Sequence, residues 1–301
     1  MSADPIHTLA DLDTWSFAGT ALAVLGHPIK HSVSPPMHNA ALAEMAKRDA
    51  RFASWKYFRF DIAPDDLPVA LEKLHARNFH GINLTVPHKI IAFDRVAAVD
   101  PTARPIGAVN TLRRTPAGWH GYNTDGYGLA TAIHETLDRQ LTGAHILLLG
   151  AGGAARGAAV ECLQRGCASL TIVNRTQANL DALLAQLAPL AGASLITGTT
   201  FAPNPPAGAL IINATSAGLK PTDPLPVDLA ALPRPAAVFD MIYNPPETPL
   251  LAQARSLGIP SANGLGMLVH QGARALEIWS DAAVPVDAMR TAVHSAMKAH
   301  A

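Results

Sequence analysis

The run His145-Ile-Leu-Leu-Leu-Gly150-Ala-Gly152-Gly153-Ala154-Ala155 joins an apolar stretch to a glycine cluster and an alanine-rich segment. It reads as a strand ending in GxGxxA and passing into a helix, the arrangement that seats a dinucleotide pyrophosphate on a helix N-terminus. Gly150 permits the tight turn, Gly152 lets the backbone approach the phosphates, and the small Ala155 lets helix and strand pack closely. Glycine clusters also arise from ordinary turns, but the strand before and the helix after favour a cofactor loop. About 24 residues after Gly150, NAD-binding proteins place an acid on the ribose 2′-hydroxyl, whereas this chain has Asn174-Arg175-Thr176 and no acid from Thr171 to Leu180. Arg175 can pair with a 2′-phosphate and Thr176 can hydrogen-bond it, so NADP is expected over NAD. The plainer alternative makes Arg175 a solvated residue at a helix start.

Four polar clusters in the first half fall at the ends of expected strands: Gly26-His-Pro-Ile-Lys-His-Ser32-Val-Ser34-Pro35, Asn83-Leu-Thr85-Val-Pro87-His-Lys89, Gly107-Ala-Val-Asn110-Thr111 and Gly121-Tyr-Asn123-Thr-Asp125-Gly126. Open α/β sheets bind ligands at that edge, and hydroxyls, amides, one lysine and one aspartate suit a polyol. Each cluster also has a structural explanation. Ser34-Pro35 fits a helix cap, Asn123 a turn, and Lys89 an exposed lysine after a proline. The 13 histidines are scattered without metal-ligand spacing, so no metal site is expected. His31, beside Ser32, is the histidine nearest the chemistry. Trp15, Trp55, Trp119 and Trp279 are too dispersed for a stacking platform and read as packing residues.

The elements that must position these groups follow an α/β pattern, with short aliphatic runs alternating with Ala/Leu-rich segments of helical period. Strands are expected at Ala21–Leu25, Trp55–Phe60 and Gly81–Val86, helices at Met37–Lys47 and Leu67–Ala76, and a hairpin at Val109–Arg113 and Trp119–Tyr122. After a helix at Tyr127–Leu137, strands at His145–Leu149, Leu170–Val173, Leu210–Asn213, Val238–Ile242 and Ile259–Pro260 form a Rossmann-like unit. Pro203–Pro206 and Pro221–Pro226 read as loops. Leu265–Trp279 is helical with no strand nearby to cover, and so is expected to return to the first domain.

At 301 residues, of which 49% are hydrophobic and 15% charged, the chain can bury two cores. Lys plus Arg (23) balances Asp plus Glu (23), which removes the electrostatic footprint of a nucleic-acid or anionic-membrane binder. The acids Asp4, Asp11 and Asp13 do not fit a secretory signal, and the most apolar stretch, Ile146–Ala155, is too short to span a bilayer. Cys162 and Cys167 fit neither a zinc site nor a disulfide framework, so a reducing cytoplasm is expected.

The four clusters in this order, followed by Gly150-Ala-Gly-Gly-Ala-Ala155, Asn213-Ala-Thr-Ser-Ala-Gly218, Asp240-Met-Ile-Tyr243-Asn-Pro245 and Gly264-Leu-Gly-Met-Leu-Val-His-Gln271, resemble the shikimate dehydrogenase family from about Gly26 to Gln271. The resemblance implies NADP-dependent reduction of 3-dehydroshikimate to shikimate. It implies a discontinuous substrate-binding domain (1–126 plus 265–301), an NADP-binding domain (127–264) and a cleft between them. Position by position, Lys89 and Asp125 would form the catalytic pair and Ser32 and Ser34 would hold the substrate carboxylate. Thr85, Asn110 and Gln271 would bond its ring substituents, with Tyr243 near ring and substrate. Gly150, Gly152, Gly153 and Ala154 would form the phosphate loop, and Asn174, Arg175 and Thr176 would meet the ribose phosphate. Thr215 and Ser216 would border the nicotinamide side, Met241 would lie with Tyr243 near ring and substrate, and Gly264 and Met267 would form a cofactor-contacting turn.

The residue types agree with that chemistry, because hydride delivery to a ketone builds negative charge on oxygen that an ammonium such as Lys89 can stabilise and protonate. The partner is a small molecule, with no nucleic acid or membrane, and the protein is expected as a monomer or homodimer. A quinate or quinate/shikimate dehydrogenase would use the same scaffold, often with an acid where this chain has Arg175-Thr176. An aminoshikimate-pathway paralogue is a further alternative. A non-catalytic NADP sensor would not need Lys89 and Asp125. A methylenetetrahydrofolate dehydrogenase shares the two-domain plan but lacks the serine-loop and Asn-Thr-Asp clusters.

Overall fold

The computed structural model describes residues 5–85, 87–201, 203–220 and 222–300. Residues 1–4, Val86 at the expected end of a strand and Pro221 at the expected start of a loop lie outside them. The chain divides into two compact units, the first running to Thr124 and resuming at Gln271, the second being Asp125–His270.

The first unit carries strands β1 (Thr20–Gly26), β2 (Trp55–Asp61), β3 (Gly81–Leu84), β4 (Ala98–Val99), β5 (Thr111–Thr115) and β6 (Gly118–Tyr122), in the order β2-β1-β3-β5-β6-β4. β1 is parallel to β2 and β3, while β5 runs antiparallel to β3 and β6. Its helices begin with α1 (Ser34–Ala46), α2 (Leu67–Ala76) and the short α3 (His88–Ile91). In α2 the buried Leu67, Ala70, Leu71 and Leu74 fall at the i, i+3, i+4, i+7 spacing of a helix with one core-facing stripe. Ser34 is not a cap, as expected from Ser34-Pro35. It is the first helical residue of α1, the cap position is Val33, and no side chain caps it. The following prolines are tolerated there because first-turn N–H groups have no helical partner.

The segment before β1 packs onto this unit. His7 bonds β2 through Arg59 O (2.9 Å) and Asp61 N (2.8 Å), Leu12 is fully buried, and Trp15 packs edge-on to Phe58.

The second unit is an all-parallel sheet of β7 (His145–Leu149), β8 (Ser169–Val173), β9 (Leu195–Thr199), β10 (Leu210–Asn213), β11 (Ala237–Asp240) and β12 (Ser261–Asn263), in the order β12-β11-β10-β7-β8-β9. α4 (Asp125–Leu137), α5 (Gly153–Gln164), α6 (Gln177–Leu187) and α7 (Pro249–Ser256) complete it. β10 and β11 are buried throughout and β7 almost so, as expected of strands covered on both faces. β9, at the edge, is mostly exposed. The expected strand at Ile259–Pro260 lies two residues late, at Ser261–Asn263. Ile259 is instead a core residue in one buried cluster with Val238 and Leu250. Cys162 and Cys167 are free and buried, and burial pushes both thiols up from their ordinary value.

α8 (Leu265–Ser280) contributes to each unit in turn, and α9 (Val286–His300) packs on α1. Within the second unit His270 Nε2 lies 2.9 Å from Glu135 Oε2 of α4. Within the first, Trp279 is 1% exposed and donates its indole N–H to Leu112 O at 3.0 Å. The expected return of this helix to the first domain is thus made by its second half. Among the described residues no helix is long and apolar enough to cross a membrane.

Candidate active site

In the first unit the expected substrate residues gather at the C-terminal ends of β1 and β3. Ser32 and Ser34 lie where the loop after β1 meets the start of α1, and Ser34 N donates to Ser32 Oγ at 3.4 Å. Thr85 follows β3, and its N–H bonds Leu25 O at 3.0 Å, which places it beside the end of β1. Lys89 is half-buried on the one-turn helix α3, not fully exposed, and its carbonyl accepts from Val109 N at 2.9 Å. That bond joins the Lys89 turn to the Asn110 segment.

Asn110 is 1% exposed and sits in a buried polar network. Its Oδ1 accepts from Thr124 N (2.9 Å), and its Nδ2 donates to Thr124 Oγ1 (3.0 Å) and Gln271 Oε1 (3.5 Å). Asn83 Nδ2 donates to Asn110 O (3.1 Å) and Thr111 Oγ1 (3.0 Å), while Asn83 Oδ1 accepts from the Tyr57 hydroxyl (2.8 Å). Buried amides are costly unless paired, so this network fixes the orientation of Asn110. Asn83, Thr124 and Tyr57 do this positioning without having been singled out as site residues. Asn83 and Thr124 stand inside the quoted clusters, whereas Tyr57 is signalled only by a hydroxyl among the aromatic residues of its strand.

His38 is fully buried, donates from Nδ1 to Ser34 O (2.9 Å) and stacks on Tyr57, and burial lowers its pKa to about 4. His31 is exposed.

In the second unit the expected cofactor residues follow five strands at one edge of the sheet. Gly150, Gly152, Gly153 and Ala154 follow β7, Asn174–Thr176 follow β8, Thr215 and Ser216 follow β10, Met241 follows β11, and Gly264 and Met267 follow β12. The glycine loop lies where the strand order reverses, since β7 pairs with β10 on one side and β8 on the other. Gly150 has φ +109°, and an added Cβ would lie 3.2 Å from Ala214 O, so only glycine suits that turn. Gly152, Gly153 and Ala154 are exposed, with nothing within 4 Å of a Cβ built on either glycine. Gly152 caps α5 without a side chain, leaving the first-turn N–H groups to an incoming anion. Arg175 and Thr176 are exposed just after the end of β8, and Asn174 Nδ2 shapes their turn through Thr176 O (2.9 Å). These features fit a dinucleotide phosphate.

The loops on the other side are cross-linked by Asp240. It is fully buried and accepts from Asn213 Nδ2 (3.0 Å), Ile242 N (3.0 Å) and Thr248 Oγ1 (2.7 Å). Burial raises its pKa, and these three bonds oppose the shift. Asn213 Oδ1 in turn accepts from Thr215 N and Oγ1 (3.1 and 2.7 Å), which sets the Thr215 turn. Gly264 is forced by close approach, because a Cβ there would lie 2.1 Å from Met241 O. Tyr243, expected at the substrate, belongs to this unit with the cofactor residues, and so does Asp125, the first residue of α4. Burial raises the Tyr243 pKa.

Residues 24–112 match the shikimate dehydrogenase substrate binding domain, residues 129–198 the shikimate/quinate 5-dehydrogenase family, and residues 264–294 the shikimate 5′-dehydrogenase C-terminal domain. The chain is 41% identical over 287 residues to the shikimate dehydrogenase (NADP(+)) of Symbiobacterium thermophilum, covering 93% of this chain and 95% of that one. The crystal structure of shikimate 5-dehydrogenase from Thermus thermophilus with NADP(H) and shikimate is similar with a TM-score of 0.80 and 32% identity, over 92% of this chain and 99% of that one. Ligand-free 5-ketofructose reductase of Gluconobacter sp. strain CHM43 is similar with a TM-score of 0.83 and 29% identity, over 93% and 99%. With three matched segments spread over both units and a relative of this identity along nearly the whole chain, the protein belongs to the shikimate dehydrogenase family.

Proposed function

We propose that the protein catalyses the reversible, NADP-dependent reduction of 3-dehydroshikimate to shikimate. The observation that carries this reading is the pairing of two sets of groups in one chain. The first unit carries the serine loop after β1, Thr85 and the Lys89 turn after β3, and a network-fixed Asn110 bonded to Gln271, and the second presents a glycine loop at its topological switch point. The 41% identity to a relative named for this activity supports it.

In this reading the first unit is the substrate domain. Ser32 and Ser34 hold the carboxylate, and Thr85, Asn110 and Gln271 orient the ring hydroxyls. Held by the second unit, NADPH would supply the hydride for ketone reduction and NADP+ would accept it in the reverse direction. As charge develops on the carbonyl oxygen, the Lys89 ammonium stabilises it and donates a proton; in the reverse direction neutral Lys89 takes that proton back. Asp125 carries the companion carboxylate role. Gly150, Gly152, Gly153 and Ala154 receive the pyrophosphate, and Arg175 and Thr176, with Asn174 shaping their turn, receive the 2′-phosphate. Thr215, Ser216, Met241, Gly264 and Met267 line the nicotinamide side, with Tyr243 beside them. The protein acts on this small molecule in the cytoplasm, as a monomer or homodimer.

Likeness to 5-ketofructose reductase favours one second reading, reduction of a neutral polyhydroxy ketone. The absorbance of reduced nicotinamide distinguishes the two, with shikimate or quinate tested against NADP and NAD, and 5-ketofructose against NADPH. Turnover with shikimate and NADP is expected. Activity confined to quinate and NAD, or to 5-ketofructose, overturns the proposal.

A further inference from the structure

The loop from His27 to Ser34 has few bonds of its own beyond Ser32 N to Ile29 O (3.0 Å) and Ser34 N to Ser32 Oγ (3.4 Å). The neighbouring strand β2 adds side-chain bonds to both of its ends. Arg59, only 9% exposed, donates from Nη1 to Lys30 O (2.8 Å) and Ser32 O (3.4 Å). Two residues along the same face of β2, Asp61 Oδ1 lies 2.6 Å from His27 Nδ1. The β1–β2 register sets Asp61 against Gly26, so the aspartate grips the start of the loop and the arginine its far half. β2 is itself pinned at these two positions by His7, through Arg59 O and Asp61 N.

A carbonyl oxygen carries partial negative charge and repels a carboxylate. Here two carbonyls of the serine loop, Lys30 O and Ser32 O, are turned onto a buried guanidinium, which offsets their negative charge and sets a positive charge against the loop. Charge-assisted bonds of this kind are among the stronger ones available to a loop. We infer that Arg59 and Asp61 are positioning residues that hold the serine loop in the form that accepts a carboxylate-bearing substrate, with Arg59 also supplying favourable charge. This rests on the assignment of Ser32 and Ser34 to the substrate carboxylate.

Steady-state kinetics of the full chain with shikimate and NADP test it. Arg59→Met is expected to raise KM for shikimate about 10-fold, with kcat and KM for NADP changing less than about 3-fold. Arg59→Lys is expected to recover most of the loss, since an ammonium can still donate to the two carbonyls. Asp61→Asn, at a more exposed pair, is expected to raise the same KM about 3-fold. An unchanged KM in Arg59→Met, or a loss spread equally over kcat and both KM values, overturns the inference. Should Arg59→Met fail to fold, Asp61→Asn and His27→Ala decide it, and a wild-type KM for shikimate in both overturns it. Absence of wild-type turnover with shikimate overturns the proposed function and this inference together, whereas wild-type turnover with unaltered variants overturns the inference alone.

Discussion

The Tyr57 hydroxyl donates to Asn83 Oδ1 at 2.8 Å, and both side chains are buried. The bond frees the other end of the Asn83 amide to hold Asn110 O and Thr111 Oγ1, so a contact between β2 and β3 determines how the Asn83 amide meets the Asn110 segment. Tyr57→Phe leaves the Asn83 oxygen unpaired in the interior. A loss of about 1–3 kcal/mol in urea unfolding is expected. Stability equal to the wild type would show that the network does not depend on this bond.

Lys89→Ala is expected to lower kcat by on the order of 10² or more, with a smaller change in KM for shikimate, because the proposed proton donor is removed while the network around Asn110 is untouched. The control is the surface lysine Lys47, whose partner is Glu44 on the same helix face. Equal losses in Lys47→Ala and Lys89→Ala would refute the assignment.

Arg175→Ala removes the one cation of the Asn174–Thr176 turn. KM for NADP is expected to rise about 10- to 100-fold, the span of one charge-assisted pairing, with little change in any turnover with NAD. Parallel changes with both cofactors would mean that Arg175 does not read the 2′-phosphate.

Two glycines are expected to respond oppositely to alanine. At Gly264 the new methyl would meet Met241 O at 2.1 Å, a backbone atom that cannot swing away, so Gly264→Ala should destabilise the protein by about 1–3 kcal/mol. Gly157, in the middle of α5, has nothing within 4 Å of an added Cβ. There alanine should stabilise by about 0.5–1 kcal/mol through helix propensity alone. Thermal melts of both variants check the pair.

His38 makes stability depend on pH. Its folded-state pKa, about 4, lies below the unfolded value of 6.5, so the unfolded chain binds more protons between those limits and stability rises with pH across them. The contribution is complete above pH 6.5 and is lost as pH falls towards 4, amounting to about 3 kcal/mol. His88 is shifted in the same direction by burial. Denaturant unfolding at pH 7 and pH 4.5 should show a smaller difference for His38→Gln than for the wild type, and an identical difference would refute the argument.

The amino-acid sequence alone determined the α/β class, the second sheet's central strands and the glycine turn after β7. Leu67–Ala76, His145–Leu149 and Leu210–Asn213 coincide with the observed elements because each carries its own signal: a helical stripe, or an apolar run of the kind a doubly covered parallel strand needs. The Gly150 turn is equally local, since its positive φ admits little besides glycine. β9 was not legible because an exposed edge strand has no buried face to pattern its residues. β12 was displaced because its half-buried Ser261–Asn263 carries less apolar character than the core residue Ile259 before it. Only the tertiary structure decided that Arg59 and Asp61 grip the serine loop, that Tyr57 orients Asn83, and that Asp240 ties the Thr215 turn to Thr248. Each of those bonds joins different elements of the chain, and a polar residue in a strand shows nothing of its partner until folding brings the two together and burial makes leaving either unpaired costly.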